Sequence, residues 1–278
     1  MTGKRTAHER FPEVLAAAVR VFARDGYRSA HMSDVAREAG LSEAALYRYV
    51  DSKEGLFVLA IRHALLLEPL PADGEPGAGF PLAATSLAEM IGQARAFVAA
   101  EVPFGALAQA LRFDAPRADP PANPAAELEL IMRELFALEE QTAQAADMIE
   151  RSARELPELA DLLNAGLRGP VLDALTEYLG SRAKTGELRE TPDTAATARL
   201  VLETLTWFAR HRHSDPYGAA IPPGLARDTA IDALLHALVP PHHLAARQAA
   251  EDQAASVQAA QVPAAPVEAA RHAEGKPG

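Results

Sequence analysis

The stretch Ser33–Phe57 constrains the fold more than any other part of the chain, because three short helical patterns follow one another there with two tight turns between them. Gly40 stands where the first pattern ends, and a helix end commonly needs a residue that tolerates positive φ. Ser42 then occupies an N-cap position, where its hydroxyl can accept from the amides of a new helical turn. The second pattern, Glu43–Val50, is too short to be stable alone, so it must pack against its neighbours.

Two short helices joined by a turn that contains glycine form a helix-turn-helix, the motif that places its second helix in the major groove of DNA. The first helix is predicted over Ser33–Ala39 and the second, which we call the reading helix, over Glu43–Val50. Asp51 is predicted to cap a third helix, with Glu54 completing a capping box three residues later. The sequence therefore indicates a DNA-binding head near the amino terminus.

The order of residues along this stretch resembles the amino-terminal domain of the TetR family of bacterial repressors. The resemblance covers roughly residues 10–60. It implies an all-α protein, in which a three-helix helix-turn-helix head precedes a larger helical body for ligand binding and dimerisation. His31, Glu43, Ala44, Tyr49 and Val50 depart from the family pattern, which bears on the operator sequence and not on the motif. The resemblance is carried by Gly26, Tyr27, Val35, Ala36, Ala39, Gly40, Leu41, Ser42, Leu46, Tyr47, Lys53, Glu54 and Leu56.

The amino-terminal end of the reading helix is expected to face the bases of a double-stranded operator. Glu43 can accept a hydrogen bond from a cytosine amino group, and Ala44 or Ala45 can touch a thymine methyl. Glu43 can equally serve as a partner of the helix dipole. The resemblance implies phosphate contacts for Tyr47 and Lys53, although Tyr47 can also be a packing residue. The candidate DNA-binding residues are Ser33, Ser42, Glu43, Ala44, Ala45, Tyr47, Arg48, Tyr49 and Lys53.

The charge of the chain is divided unevenly between its head and its body. The formal net charge is −11, yet residues 1–66 hold ten Lys or Arg against eight Asp or Glu and so carry +2. The rest of the chain therefore carries −13. Cations that neutralise a phosphate backbone are confined to the head, and an acidic body would orient the molecule head-first towards DNA. The alternative is that the acidic body simply aids solubility.

Composition favours a helical protein without a membrane span or a disulfide framework. Alanine is abundant and aromatic residues are scarce, which favours helix over sheet. The chain has no cysteine, and no apolar run approaches the roughly 18 residues that a membrane span requires. We expect a cytoplasmic protein divided into a DNA-binding head over residues 1–66, an effector-binding and dimerisation body over residues 67–240, and a disordered tail over residues 241–278.

Proline and glycine divide the body into helical segments. Pro103 separates two of them, and Pro157 ends a third. A bend is predicted at Gly169 and Pro170, where the pattern continues but the backbone cannot stay regular. The predicted helices of the body are Leu82–Ala100, Phe104–Phe113, Ala125–Glu155, Glu158–Ala183, Asp193–His211 and Leu225–Leu238.

The last two of these helices each carry an apolar stripe at helical spacing. The resemblance implies that they pair with the same two helices of a second subunit in a four-helix bundle, so we expect a homodimer. The alternative is that both stripes form the core of a single chain. The candidate interface residues are Val201, Leu205, Phe208, Ile231, Leu234, Leu235 and Leu238.

The body is expected to hold a small hydrophobic or amphipathic effector. It is larger than dimerisation alone needs, and methionine and phenylalanine linings adapt to irregular apolar ligands. The candidate pocket residues are Phe97, Phe104, Met132, Phe136 and Met148, each of which can instead be plain core.

Catalytic and metal-binding signals are weak along the chain. There is no nucleophile elbow, P-loop or metalloprotease motif, and the adjacent pair Glu139 and Glu140 is interpreted as a solvated helix face. No catalytic residue, metal ligand or cofactor is therefore assigned. The main hypothesis is a ligand-responsive repressor, and its rival is a DNA-binding or architectural protein without an effector.

Overall fold

The computed structural model describes residues 7–65, 79–82, 85–102, 104–112 and 123–260. These residues form helices and loops, and the strand-like pairing among them is a single parallel bridge between Val50 and Leu82. The all-α prediction is confirmed.

Four helices build the head. The three helices other than the reading helix bury apolar faces against one another, as the sequence predicts. The reading helix is shorter than predicted, because residues 47–49 form a turn and Val50 joins the bridge. The cap of the fourth helix is also corrected: the hydroxyl of Ser52, not Asp51, accepts from Gly55 N at 3.0 Å. The four helices are α1 (Ala7–Asp25), α2 (Met32–Glu38), α3 (Glu43–Leu46) and α4 (Lys53–Ala64).

Nine further α-helices follow in the described part of the chain. A π-helical segment, Leu162–Arg168, connects two of them, and a 3₁₀ turn, His211–Ser214, follows another. The helices are α5 (Leu87–Glu101), α6 (Gly105–Arg112), α7 (Pro124–Gln141), α8 (Ala143–Ala153), α9 (Pro157–Asp161), α10 (Gly169–Lys184), α11 (Thr194–Ala209), α12 (Pro223–Leu238) and α13 (Pro241–Ala260).

The helix predicted over Ala125–Glu155 is in fact two helices, divided at Thr142. The backbone of Thr142 lies outside the helical region, with φ −95° and ψ 4°. Its hydroxyl donates to Leu138 O at 2.7 Å, and a threonine that bonds the preceding turn often bends a helix. Helix α8 therefore leaves the line of α7 and packs against the head.

The apolar residues form two cores. The inner core joins α1–α4 to α5, α8 and α9, and includes Phe22, Phe57 and Ile149. The outer core joins α6, α7, α10, α11 and α12, and includes Phe136 and Leu205. The head therefore shares its core with part of the body, and position 66 does not separate two cores.

One prediction about the carboxyl-terminal part is wrong. Pro241–Ala260, expected to be disordered, forms α13, and Arg247 of this helix lies 2.9 Å from Glu129 of α7. Its alanine-rich composition has a high helix propensity, and Leu244 packs on the outer core. Residues 261–278 of the predicted tail lie outside the described residues.

The predicted dimer residues are core residues of the single chain. Six of them are buried, and the seventh, Phe208, is half-buried against the outer core. The amphipathic stripe correctly marked a buried face, but α7 and α10 of the same chain already cover it. The six buried residues are Val201, Leu205, Ile231, Leu234, Leu235 and Leu238.

Candidate DNA-binding face and ligand cavity

The turn between α2 and α3 fixes the direction of the reading helix. Gly40 has φ +64°, and Gly40 N and Leu41 N donate to Arg37 O and Ala36 O at 3.1 and 2.8 Å. This pair of bonds is a Schellman motif, which requires the left-handed conformation at the glycine. Ser42 then caps α3 by accepting from Ala45 N at 3.2 Å. The local chemistry that the sequence predicted here is present.

The structure separates the predicted DNA-binding residues into an exposed group and a packed group. Ala45 and Tyr49 are only 9% and 8% exposed. They pack the reading helix against the head, so neither presents its side chain to a groove. The exposed residues are Ser33, Ser42, Glu43, Ala44, Tyr47 and Arg48.

Tyr49 is held by a segment that comes from beyond α4. Residues 79–82, which we call the strap, return to the head, and Leu82 N donates to Tyr49 O at 2.8 Å. The ring of Phe80 lies 5.2 Å from that of Tyr49, 5.1 Å from that of Phe11 and 4.7 Å from that of His8, measured between centroids. The strap therefore fastens the carboxyl-terminal end of the reading helix to α1.

Lys53 does not extend towards a phosphate in this structure. Its ammonium donates to Arg28 O at 3.0 Å and lies 4.9 Å from the centre of the Tyr27 ring. Burial lowers the pKa of Lys53 from its ordinary value. The residue joins α4 to the turn between α1 and α2.

Among the described residues, the head arginines Arg10, Arg28 and Arg48 have no carboxylate within ion-pair distance. The other arginines of α1 and α2 are paired with acids, for example Arg20 with Glu38 at 2.8 Å. Arg10 and Arg48 line one cleft beside the reading helix, together with Tyr47 and the strap. Positive charge is thus available where a phosphate backbone would pass.

The turn between α1 and α2 is seated on the end of α8. Tyr27 N donates to Ser152 Oγ at 3.1 Å, and Arg28 N donates to Glu155 Oε2 at 2.8 Å. Gly26, with φ +80°, lies so close that a Cβ there would be 3.2 Å from the Arg151 side chain. The body therefore supplies the acceptors for two backbone amides of the head.

A cavity of about 330 Å³ lies between the two cores. Ile149 and Leu163 reach it from the inner core, whereas Leu135, Val171 and Leu202 reach it from the outer core. The π-helical segment contributes to the wall, and π-helical turns are rare and frequently occur at functional sites. The volume is at the small end of the roughly 300–1,000 Å³ typical of small-molecule sites.

The predicted pocket residues are divided by this cavity. Phe97 and Phe104 are in its wall. Met132 and Phe136 instead lie in the outer core and Met148 in the inner core. Apolar residue type alone did not distinguish a wall from a core.

Polar residues of the wall were missed by the sequence analysis. Arg168, Arg210 and Glu139 line the cavity, and burial raises the pKa of Glu139 from its ordinary value. The interpretation of Glu139 as a solvated residue is wrong. Its spacing of four from Leu135 places it on the inner stripe of α7, and that spacing could have revealed it.

The described ranges contain neither a cluster of metal ligands nor a membrane-spanning helix. No group of three or more His, Cys, Asp or Glu there could hold a metal ion. No helix in that part of the chain is both long and apolar enough to cross a membrane.

Comparison with known proteins agrees with the head and the overall fold. Residues 14–60 match the family model of bacterial regulatory proteins, tetR family. Among curated proteins, none matches the sequence significantly. A crystal structure of a HlyIIR mutant is similar with a TM-score of 0.51 at 13% identity, over 84% of this chain and 99% of that one.

Two other similar structures have lower scores. A TetR-like transcriptional regulator from Rhodococcus sp. RHA1 gives a TM-score of 0.48 at 19% identity, covering 84% of this chain and 96% of that one. AibR in complex with isovaleryl coenzyme A and operator DNA gives 0.47 at 18% identity, covering 83% and 98%.

The fold and the exposed reading helix define a helix-turn-helix DNA-binding protein with a helical body. The head is the amino-terminal domain of the TetR family of bacterial regulatory proteins, as the sequence resemblance predicted, and the chain as a whole shares the fold of the HlyIIR structure.

Proposed function

We propose that this protein is a ligand-responsive transcriptional repressor that binds a palindromic operator as a dimer and is released by a small apolar or amphipathic effector. The observation that carries the proposal is the position of α8. This helix contributes Ile149 to the cavity wall. Its Ser152 accepts from Tyr27 N and so belongs to the seat of the head, which is the contact between the end of α8 and the turn between α1 and α2. A ligand in the cavity therefore touches the same helix that positions the DNA-binding face.

DNA is bound through the exposed side of the reading helix. Ser42, Glu43 and Ala44 meet base edges at its amino-terminal end, where recognition helices make their specific contacts. Tyr47 and Arg48 meet the flanking phosphates. Exposure of all five side chains supports this assignment.

Dimerisation uses the outward faces of α11 and α12 and not the buried stripes. Leu200 and Trp207 on α11 and Leu225 on α12 are large apolar residues that the single chain leaves exposed. Leu200 and Trp207 are seven residues apart and so lie on one face. Two heads joined in this way engage half-sites about 34–36 Å apart, or a multiple of that distance.

Release follows when the effector changes the separation of the two heads. A dimer gains affinity because the second head binds at a high effective concentration, and this gain disappears when the spacing no longer fits. The coupling is reciprocal, so operator and effector each weaken the binding of the other by the same coupling free energy, typically about 1–3 kcal/mol. The cavity favours this account over the effector-free rival, which needs no such space.

Selection from random double-stranded DNA with the full chain tests the proposal. The enriched sites are expected to contain two inverted half-sites, and a gel-shift assay should show weaker binding by Arg48→Ala. Arg189→Ala, an exposed arginine between α10 and α11 and outside both the head and the proposed dimer faces, is the matched control. Failure to enrich any sequence would contradict DNA recognition, whereas enrichment without a stabilising ligand across an apolar library would favour the effector-free rival.

A further inference from the structure

The cavity has an apolar body and one charged end. The charged end lies where the π-helical segment meets α7, α8 and α11. Arg168 and Arg210 reach it from two sides, and their side chains are only 15% and 2% exposed. Buried guanidinium groups are costly unless their N–H donors find acceptors.

The two arginines differ in how well these donors are satisfied. Arg210 forms a close ion pair with Glu150, whereas its Nε lies 3.5 Å from Asp147 Oδ1 and has no hydrogen-bond partner. Arg168 has its nearest carboxylate oxygens at 3.6 Å on Glu150 and 3.9 Å on Glu203. Both distances exceed a normal N–H···O hydrogen bond, so Arg168 makes none among the described residues.

The neighbouring acids are already occupied. Glu150 is shared with Arg210, and Glu203 lies 2.8 Å from Arg199 Nη2. Burial raises the pKa of Glu139, whereas the charges of Arg210 and Arg168 act in the opposite direction. At this end of the cavity the Nε of Arg210 and the Oε1 of Glu203 are buried without a hydrogen-bond partner, and the guanidinium of Arg168 is left without a hydrogen bond to a described residue.

We propose that the effector is an amphipathic carboxylate, whose head accepts from the guanidinium of Arg168 and whose aliphatic tail fills the cavity between Phe97, Ile149 and Val171. A planar carboxylate matches the fork of an arginine and can take two parallel hydrogen bonds. The tail is short, because the cavity is small. This inference rests on the proposed function and specifies the chemistry of its effector.

A series of head groups on one tail tests the inference with the unmodified full chain. Isothermal titration with octanoate, octanol and octylamine compares an acceptor anion, a neutral hydroxyl and a cation of equal chain length. Octanoate is expected to bind at least about 10-fold more tightly than the other two, as for a charge-assisted hydrogen bond. Equal binding of octanol, tighter binding of octylamine or no binding of octanoate would overturn the inference.

A pair of arginine variants locates the head group. Arg168→Met is expected to weaken octanoate binding by about 10- to 100-fold while leaving octanol binding unchanged. Arg199→Met is the control, since Arg199 contacts the same Glu203 from the half-exposed outer side. Unchanged octanoate affinity in Arg168→Met would place the head group elsewhere and overturn the assignment.

The result is separable from the test of DNA binding. If the selected operator is bound but octanoate is not, this inference fails and the repressor proposal stands. If no DNA sequence is selected, the repressor proposal fails, whereas titration of octanoate still decides whether Arg168 forms a carboxylate site.

Discussion

The inner and the outer core differ in the kinds of side chain that hold their helices together. In the inner core, aromatic rings fasten one element to another, as where Phe22 and Tyr27 both contact Phe57 at 5.0 and 4.8 Å. In the outer core the side chains are mainly aliphatic, and a buried ion pair joins Arg182 to Glu127 at 2.9 Å. The inner core therefore determines where the head lies, and the outer core holds the body together.

The cavity lies where these two cores meet, so residues of both cores form its wall. Under the proposed function, a ligand there would contact side chains of both cores and alter how one lies against the other. Substitutions within a single core should change either stability or DNA binding, and those at the boundary should change how the two are coupled. Four variants, ordered by expected effect, test this distinction.

The largest effect is expected in the outer core. Arg182→Met removes one partner of a pair whose side chains are only 7% and 10% exposed, so the buried carboxylate of Glu127 loses its arginine. The free energy of unfolding should fall by about 3–5 kcal/mol, measured by urea denaturation. Arg133→Met, in a largely exposed pair, should cost less than about 1 kcal/mol. Equal losses in the two variants would contradict a special role for the buried pair.

The strap of the inner core should give the next largest effect, and it should appear in DNA binding. Phe80→Ala removes three ring contacts around the end of the reading helix. Each aromatic pair contributes about 0.5–1.5 kcal/mol, so operator affinity should fall by about 10-fold or more in a gel-shift assay. Phe136→Leu, in the outer core and outside the proposed dimer faces, is the control. An operator affinity unchanged by Phe80→Ala would remove the strap from the DNA-binding apparatus.

The seat of the head should show itself in the coupling between ligand and operator. Ser152→Ala leaves Tyr27 N without its acceptor at 3.1 Å, which costs about 1–2 kcal/mol. The factor by which effector weakens operator binding should then decrease, measured by titrating DNA with and without effector. Ser181→Ala, whose hydroxyl bonds Tyr178 O within α10, should leave that factor unchanged. The seat has no part in signalling if both variants keep the full factor.

The smallest effect concerns single phosphate contacts. Arg48→Ala should reduce the slope of log affinity against log salt by about one, because one fewer counterion is displaced. Lys53→Ala should leave that slope unchanged, since its ammonium is held by Arg28 O. Fluorescence anisotropy at several salt concentrations distinguishes them. A reduced slope for Lys53→Ala would restore the phosphate contact that the sequence analysis assigned to it.

Local chemistry explains which parts of the fold could be predicted. Gly40 and Ser42 were correctly assigned because a Schellman turn and an N-cap depend on residues adjacent in sequence. The burial of Tyr49 could not be foreseen in the same way, since the strap that covers it lies about thirty residues further along the chain. An isolated sequence pattern identifies a helix end more readily than a distant partner.

A similar limit explains the errors in the sites. The stripes of α11 and α12 correctly predicted buried faces, but periodicity does not say whether the same chain or another covers them. Arg168 carried no signal, because the π-helical segment shifts its side chain out of the regular helical pattern. Glu139 did carry one, since its spacing from Leu135 fits an inward position.

The break at Thr142 turns α8 into a lever. The helix has 11 residues and so measures about 16 Å, with a hinge residue in the cavity wall at one end and Ser152 near the other. A rotation of about 4° at the hinge moves the far end by about 1 Å, enough to stretch the bond to Tyr27 N beyond hydrogen-bonding distance. Under the proposed function, a ligand that rotates α8 by so small an angle would therefore release the turn between α1 and α2 from the body without unfolding anything at the cavity.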